Sequence, residues 1–170
     1  MNRSYNINAD LSRADTLIRV LPKIMFSGLW LKGKTYFGLG ATMLTFLHEI
    51  PPLSRYNIYT RFVAWDPDDK WFYCQTIFTI SDKRGKIRPE NISSIVPEDE
   101  AVCAVMYCRY CWKLKSGKTI RVTQVLKDEG YIVSEDMLRL NERNWQIVKE
   151  FHEMMEKEKI VQSLRKFSRL

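Results

Sequence analysis

The stretch Tyr56-Asn57-Ile58-Tyr59-Thr60-Arg61-Phe62-Val63-Ala64-Trp65, the turn Asp66-Pro67-Asp68-Asp69 and the run Lys70-Trp71-Phe72-Tyr73-Cys74-Gln75-Thr76-Ile77-Phe78 decide the fold. Two runs rich in aromatic and β-branched residues flank a short acidic turn that holds a proline, the pattern of a long β-hairpin. Successive side chains of a strand point to opposite faces. Tyr56, Ile58, Thr60, Phe62 and Ala64 therefore share one face, and Asn57, Tyr59, Arg61, Val63 and Trp65 the other. In the second run Trp71, Tyr73, Gln75 and Ile77 oppose Phe72, Cys74, Thr76 and Phe78. Neither face is cleanly polar, so both are expected to be covered. A helix is one cover, and a partner subunit is a candidate for the other.

Working outward from the hairpin, residues 8 to 21 read as a helix. Leu11, Ala14, Ile18 and Leu21, with Leu17 beside them, form its apolar stripe. Asn8 is its expected N-cap, Asp10 lies in its expected first turn, and Pro22 ends it. A loop bearing Gly28, Gly33, Gly38 and Gly40 follows, without the spacing of a phosphate cradle. Residues 42 to 47 read as a strand stopped by Pro51-Pro52. After the hairpin, residues 81 to 86 form a polar turn and residues 87 to 100 a looser segment. Residues 101 to 113 and 119 to 126 make a second strand pair about the turn Lys115-Ser116-Gly117-Lys118. A closing helix is expected over about 141–167, with Asn141 as cap and Trp145, Val148, Phe151 and Met155 on its apolar face. The layout is α+β with mostly antiparallel pairing.

The chain has 170 residues, 45% of them apolar and 28% charged, which fits one folded domain over 1–170. No apolar run approaches the roughly 20 residues needed to span a bilayer, and no signal-peptide pattern opens the chain. The expected location is cytoplasmic, with an organelle lumen as the other possibility. The balance of 27 basic against 20 acidic residues gives a net charge of +7, which suits anionic partners. Lys157, Lys159, Arg165, Lys166 and Arg169 supply part of it and read as a solvated helix end. A nucleic-acid-binding module is the weakest reading, because the aromatics sit within apolar strand runs and are not interleaved with Lys and Arg.

Four cysteines stand at 74, 103, 108 and 111. Cys108-Arg109-Tyr110-Cys111 has CxxC spacing, but on a strand the two thiols point to opposite faces. There is no second CxxC and no nearby histidine, so buried structural thiols are expected, with no metal and no cofactor.

Two motifs resemble those of the thioesterase-like hotdog proteins, in particular a branch found in animals and fungi. One is Asn2-Arg3-Ser4-Tyr5 followed by Ala9-Asp10-Leu11-Ser12-Arg13, and the other is the hairpin with its Thr60-Arg61, Trp65-Asp66 and Lys70-Trp71-Phe72-Tyr73. With the order of elements they cover about residues 2 to 125. The resemblance implies a hotdog fold, in which an antiparallel sheet wraps a long central helix, with a C-terminal helix added here. It implies homodimers made by joining two sheets, and an acyl-thioester such as acyl-coenzyme A as substrate or ligand. Water would attack the thioester carbonyl while helix-start amides near Tyr5 to Asn8 hold the oxyanion. The family's opening strand, aspartate and histidine precede the residue matched by Asn2, and the sequence here starts inside that motif, so the usual acid is not among these residues.

The remaining candidates are therefore few. Asp10 and His48 are the candidate catalytic groups, with Asp10 also read as an ion-pair partner of Arg13. Asn2, Tyr5 and Arg61 are candidate substrate-binding residues, Arg61 being able to meet a coenzyme A phosphate. His152 is expected to face solvent. The two histidines and the absence of GxSxG make no Ser-His-Asp arrangement. The alternative to an enzyme is a non-catalytic hotdog dimer that binds acyl chains or proteins.

Overall fold

The computed structural model describes the backbone of residues 2–26, 35–81 and 95–167, and the side chains of residues 5–26, 35–81 and 95–157. The elements are α1 (Asn2–Val20), α2 (Pro22–Phe26), β1 (Thr35–Phe46), β2 (Asn57–Trp65), β3 (Phe72–Ser81), β4 (Glu100–Leu114), β5 (Thr119–Ile120), α3 (Val122–Glu129) and α4 (Glu135–Phe167). The polar turn expected from residue 81 and most of the looser segment after it lie outside the described residues, as do Gly28 and Gly33.

The sheet runs β1-β4-β3-β2, with the short β5 paired to β4, and every pairing is antiparallel. This is the α+β hotdog layout expected from the sequence. The central pair, β3 and β4, is buried over almost its whole length because both of its faces are covered. Asp66 closes the β2–β3 turn. Its carboxylate accepts the Lys70 and Trp71 amides at 2.7 Å each, satisfying donors that the turn leaves outside the ladder.

One face of the sheet packs on α1 and the short α2. Ala9, Leu17, Leu21 and Ile24 meet Phe72, Cys74, Phe78, Met106, Cys108, Tyr110 and Trp112. The expected stripe is corrected here. Leu11, Ala14 and Ile18 point away from the sheet, and Leu11 is 65% exposed. The inward row is Ala9, Arg13, Leu17 and Leu21, spaced by four, and the arginine within it breaks the apolar pattern that the sequence reading followed. The helix also starts earlier than residue 8, so Asn8 is no cap. Its amide reaches the Tyr56 hydroxyl instead.

The other face is covered by this chain's own α4, not by a partner subunit. Val148 and Phe151 pack with Trp145 and Met155 against Val63, Ala64 and Tyr73. A bulge between Phe62 and Ala64 shifts the register of β2 against β3. It turns Trp65 toward α1 and Ala64 toward α4, the reverse of strict alternation.

Three further expectations change. The glycine-bearing loop before residue 42 is strand from Thr35, with a bulge between Leu39 and Ala41. The second strand of the second pair stops at Ile120, and a helix replaces its remainder. Val122, Val125, Leu126 and Glu129 are the buried row of that helix, and Asp69 of the hairpin turn accepts the Thr123 amide at 2.9 Å. The closing helix begins at Glu135, with Glu135 and Asp136 in its first turn, so Asn141 is inside it and caps nothing. No helix among the described residues is long and apolar enough to cross a membrane.

Candidate active site

An open cleft of about 540 Å³ lies between α1 and the edge strand β1. Asn6, Asp10 and Arg13 line its helical wall, and Leu39, Thr42, Leu44 and Phe46 its strand wall. The helical residues fall at intervals of four and three, so one face of α1 carries all three. The strand residues reach the cleft because β1 follows β4 along the sheet, Thr42 opposite Cys108 and Leu44 opposite Met106. One wall offers an amide, a carboxylate and a guanidinium; the other is largely apolar.

Arg13 is the unusual member. It is 4% exposed, and its guanidinium lies among core groups of the α1 face. One terminal nitrogen, Nη2, is ion-paired with Asp10, while Nη1 donates to Met106 Sδ at 2.7 Å and Nε has no partner. Burial lowers the Arg13 pKa, but the nearby Cys108 and Tyr110 and the bond to Asp10 more than offset this and leave it raised. Arginine remains a cation here. Asp10 is the opposite case, its side chain 64% exposed at the rim of the cleft. Thr42 Oγ1 lies 3.3 Å from Cys108 Sγ, whose thiol is pushed up by burial.

The candidates read from the sequence are scattered by the fold. Asp10 lies in the cleft and pairs with Arg13. His48 is half-buried beyond the end of β1, its amide bonded to the Cys103 carbonyl, and does not line the cleft. Tyr5 packs edge-on against Phe46 and Phe78 and borders a separate apolar hollow with Pro51, Pro52 and Tyr56. Arg61 is on the α4 side of the sheet, its Nε donating to Gln75 Oε1 at 2.8 Å, so Tyr5 and Arg61 do not meet. Asn2 is in the first turn of α1, and its side chain lies outside the described ones.

The expected oxyanion amides are also corrected. With α1 running from Asn2, the amides of Asn6 to Asn8 bond back into the helix and are not free donors. His152, expected in solvent, is half-buried, and its Nδ1 lies 2.6 Å from the Tyr73 hydroxyl beneath α4. All four cysteines are buried thiols. Among the described residues no three His, Cys, Asp or Glu side chains converge as a metal site.

Asn6, Arg13 and Thr42 are the site residues that the sequence reading left out. The repeat of polar residues at 6, 10 and 13 on one helix face could have found the first two. Nothing local points to Thr42, which arrives through the β1–β4 pairing.

Comparison with known proteins agrees with the fold. No protein-family model matches the chain. It is 27% identical over 165 residues, 95% of its length, to a probable thioesterase of Saccharomyces cerevisiae. It is 29% identical over 102 residues to the thioesterase lcsJ of Purpureocillium lilacinum, covering 59% of the chain. The chain spans 61% of the yeast relative's length and 28% of the other's. Among solved structures, the YbaW probable thioesterase from Escherichia coli superposes with a TM-score of 0.53 at 14% identity, over 76% of this chain and 81% of that one. The PA5185 protein from Pseudomonas aeruginosa gives 0.51 at 12% identity, over 76% and 75%. At these identities the structural likeness speaks for the fold, and the sequence relatives are a resemblance to thioesterases. The chain thus has the hotdog fold, and over most of its length its sequence is similar to a probable thioesterase.

Proposed function

We infer that the chain is a thioesterase domain that hydrolyses acyl thioesters such as acyl-coenzyme A in the cleft between α1 and β1. The observation that carries this reading is Asp10, an exposed carboxylate opposite the apolar wall of Leu39, Leu44 and Phe46. That wall suits the acyl chain. Asp10 takes a proton from water as the water oxygen attacks the thioester carbonyl carbon. The side chains of Asn6 and Thr42 are the donors within the cleft for the oxyanion that forms. Collapse of the intermediate breaks the C–S bond, the proton passes to the departing sulfur, and a carboxylic acid and a thiol leave. The net charge of +7 favours a phosphorylated carrier such as coenzyme A.

We further take residues 1–170 as one domain and the working form as a homodimer joined along β1. That strand ends the sheet, pairs on its outer side with no described strand, and exposes Tyr36, Leu39 and Phe46. The cleft opens along the same edge.

Release of free thiol from a panel of acyl-coenzyme A substrates tests the reading, with light scattering on the same sample. Turnover is expected from particles of two chains, and Asp10→Asn lowers kcat by about 100- to 10,000-fold. Tight binding without turnover at any chain length would make the chain an acyl-binding hotdog protein instead.

A further inference from the structure

We propose that Arg13 is the positioning residue of this cleft, holding the Asp10 carboxylate where it meets the attacking water. The inference rests on the thioesterase reading above and assigns to Arg13 a role that acts through Asp10.

The argument begins with a cost. Taking a guanidinium out of water is unfavourable unless close partners satisfy it. Arg13 is almost wholly buried, yet its partners are poor ones for stability: a thioether sulfur, which is a weak acceptor, and a carboxylate mostly in water. Its Nε–H has no acceptor. A methionine or leucine at this place in the inward row of α1 would pack beside Met106 and Leu17 without that penalty. Stability of the core does not explain the residue.

Geometry offers a different account. Asp10 and Arg13 are one helical turn apart, so the backbone already brings the two side chains together. The guanidinium is planar and is held by the core packing that buries it, with Nη1 against Met106 Sδ of β4. A carboxylate tied to such an anchor loses the rotamer freedom that an exposed aspartate has. The anchor stands in the core and the carboxylate at the rim, so orientation is set from the rigid side of the cleft. This is the division of labour expected of a base oriented by a third group.

A double-mutant cycle in kcat tests this. Arg13→Met is expected to lower kcat by roughly 100-fold, the scale of a small misplacement of a reacting group, with KM moving less than about twofold. Its melting temperature stays level or rises, because a buried charge has been replaced by an apolar chain. In an Asp10→Asn background the same change has no further effect on kcat, since the group it positions is already gone. A merely structural role would instead make the two losses multiply. Arg13→Lys keeps the charge without the planar fork and recovers only part of kcat; it takes the place of Arg13→Met in the cycle where that variant folds poorly. Multiplying losses, or unchanged kcat in both Arg13 variants of an active protein, overturn the inference alone. Absence of turnover by the unaltered chain overturns it together with the thioesterase reading.

Discussion

Gly40 is where one hydrogen atom decides how the sheet packs beneath the closing helix. A Cβ built on Gly40 would stand 2.3 Å from Trp71 Cζ3, far inside contact distance. The indole cannot withdraw freely, because the Arg109 guanidinium lies 4.6 Å from its ring centre and is itself bonded to Glu156 of α4 at 2.8 Å. Gly40→Ala therefore pushes a ring held between the sheet and the closing helix. Overpacking of this kind costs about 1–3 kcal/mol, and in a chain of this size each kcal/mol lowers Tm by roughly 2–4 °C. A calorimetric scan of Gly40→Ala against the unaltered protein checks it, and an unchanged Tm would mean that Trp71 is not pinned. The glycine belongs to a bulged edge strand whose neighbours Leu39 and Thr42 line the cleft, so the same change is also expected to disturb binding there.

Closing helix α4 does more at the scale of an element than cover a face. Asn141 Oδ1 accepts the Trp65 amide at 2.8 Å while its Nδ2 donates to the Trp65 carbonyl at 3.2 Å, and Asn144 Nδ2 donates to the Val63 carbonyl at 3.1 Å. Two helical side chains thus take up backbone groups that β2, as an edge strand, leaves without a partner strand. Asn141→Ala strands the Trp65 amide and carbonyl, at a cost of about 1–3 kcal/mol. Its urea midpoint is expected to fall while the exposed Arg143→Ala stays within about 0.5 kcal/mol of the parent. Equal midpoints for the two variants would mean that water serves the Trp65 backbone as well as the asparagine does. This helix also marks the limit of what could be read locally. Its apolar face at Val148 and Phe151 was legible from spacing alone, as was the hairpin. Its true start was not, because Asn141 looks like a cap when its distant partner is unseen, while the helix begins after Gly130 and Ser134, whose hydroxyl accepts the Met137 amide at 3.3 Å. The bulges in β1 and β2 were equally invisible, since they arise from pairing with strands remote in sequence.

The molecule as a whole explains why the architecture could be read and the site only in part. Element order and antiparallel pairing follow from runs of apolar residues, which local sequence displays. The cleft depends on Arg13, whose charge disguised the inward row of α1, and on Thr42, brought to it by the β1–β4 register. The same dense packing has a consequence for pH. Burial pushes the Cys74 thiol up to about 12, and burial likewise raises Cys108, Tyr73, Tyr107 and Tyr110. All are neutral when protonated, so in the folded chain they hold their protons to higher pH than in the unfolded one, where thiols and phenols titrate at about 8.5 and about 10. Above pH of about 9 the unfolded state therefore binds fewer protons than the native state, and stability falls as pH rises. Below that range both states are protonated at these groups and their contribution is fully present. A tenfold change in a group's proton affinity between the two states is worth about 1.4 kcal/mol, and several buried groups act together against a total stability on the order of 5–15 kcal/mol. Tm is thus expected to stay level with respect to these groups between roughly pH 7 and 8.5 and to drop steeply beyond about pH 9–10. The share of tyrosinate absorbance that belongs to the buried Tyr73, Tyr107 and Tyr110 should rise in one cooperative step that coincides with loss of near-ultraviolet circular dichroism. Smooth titration of Tyr73, Tyr107 and Tyr110 near the ordinary value, with the dichroism intact, would mean that the two faces of the central strands are open to water and that α1 and α4 do not cover them.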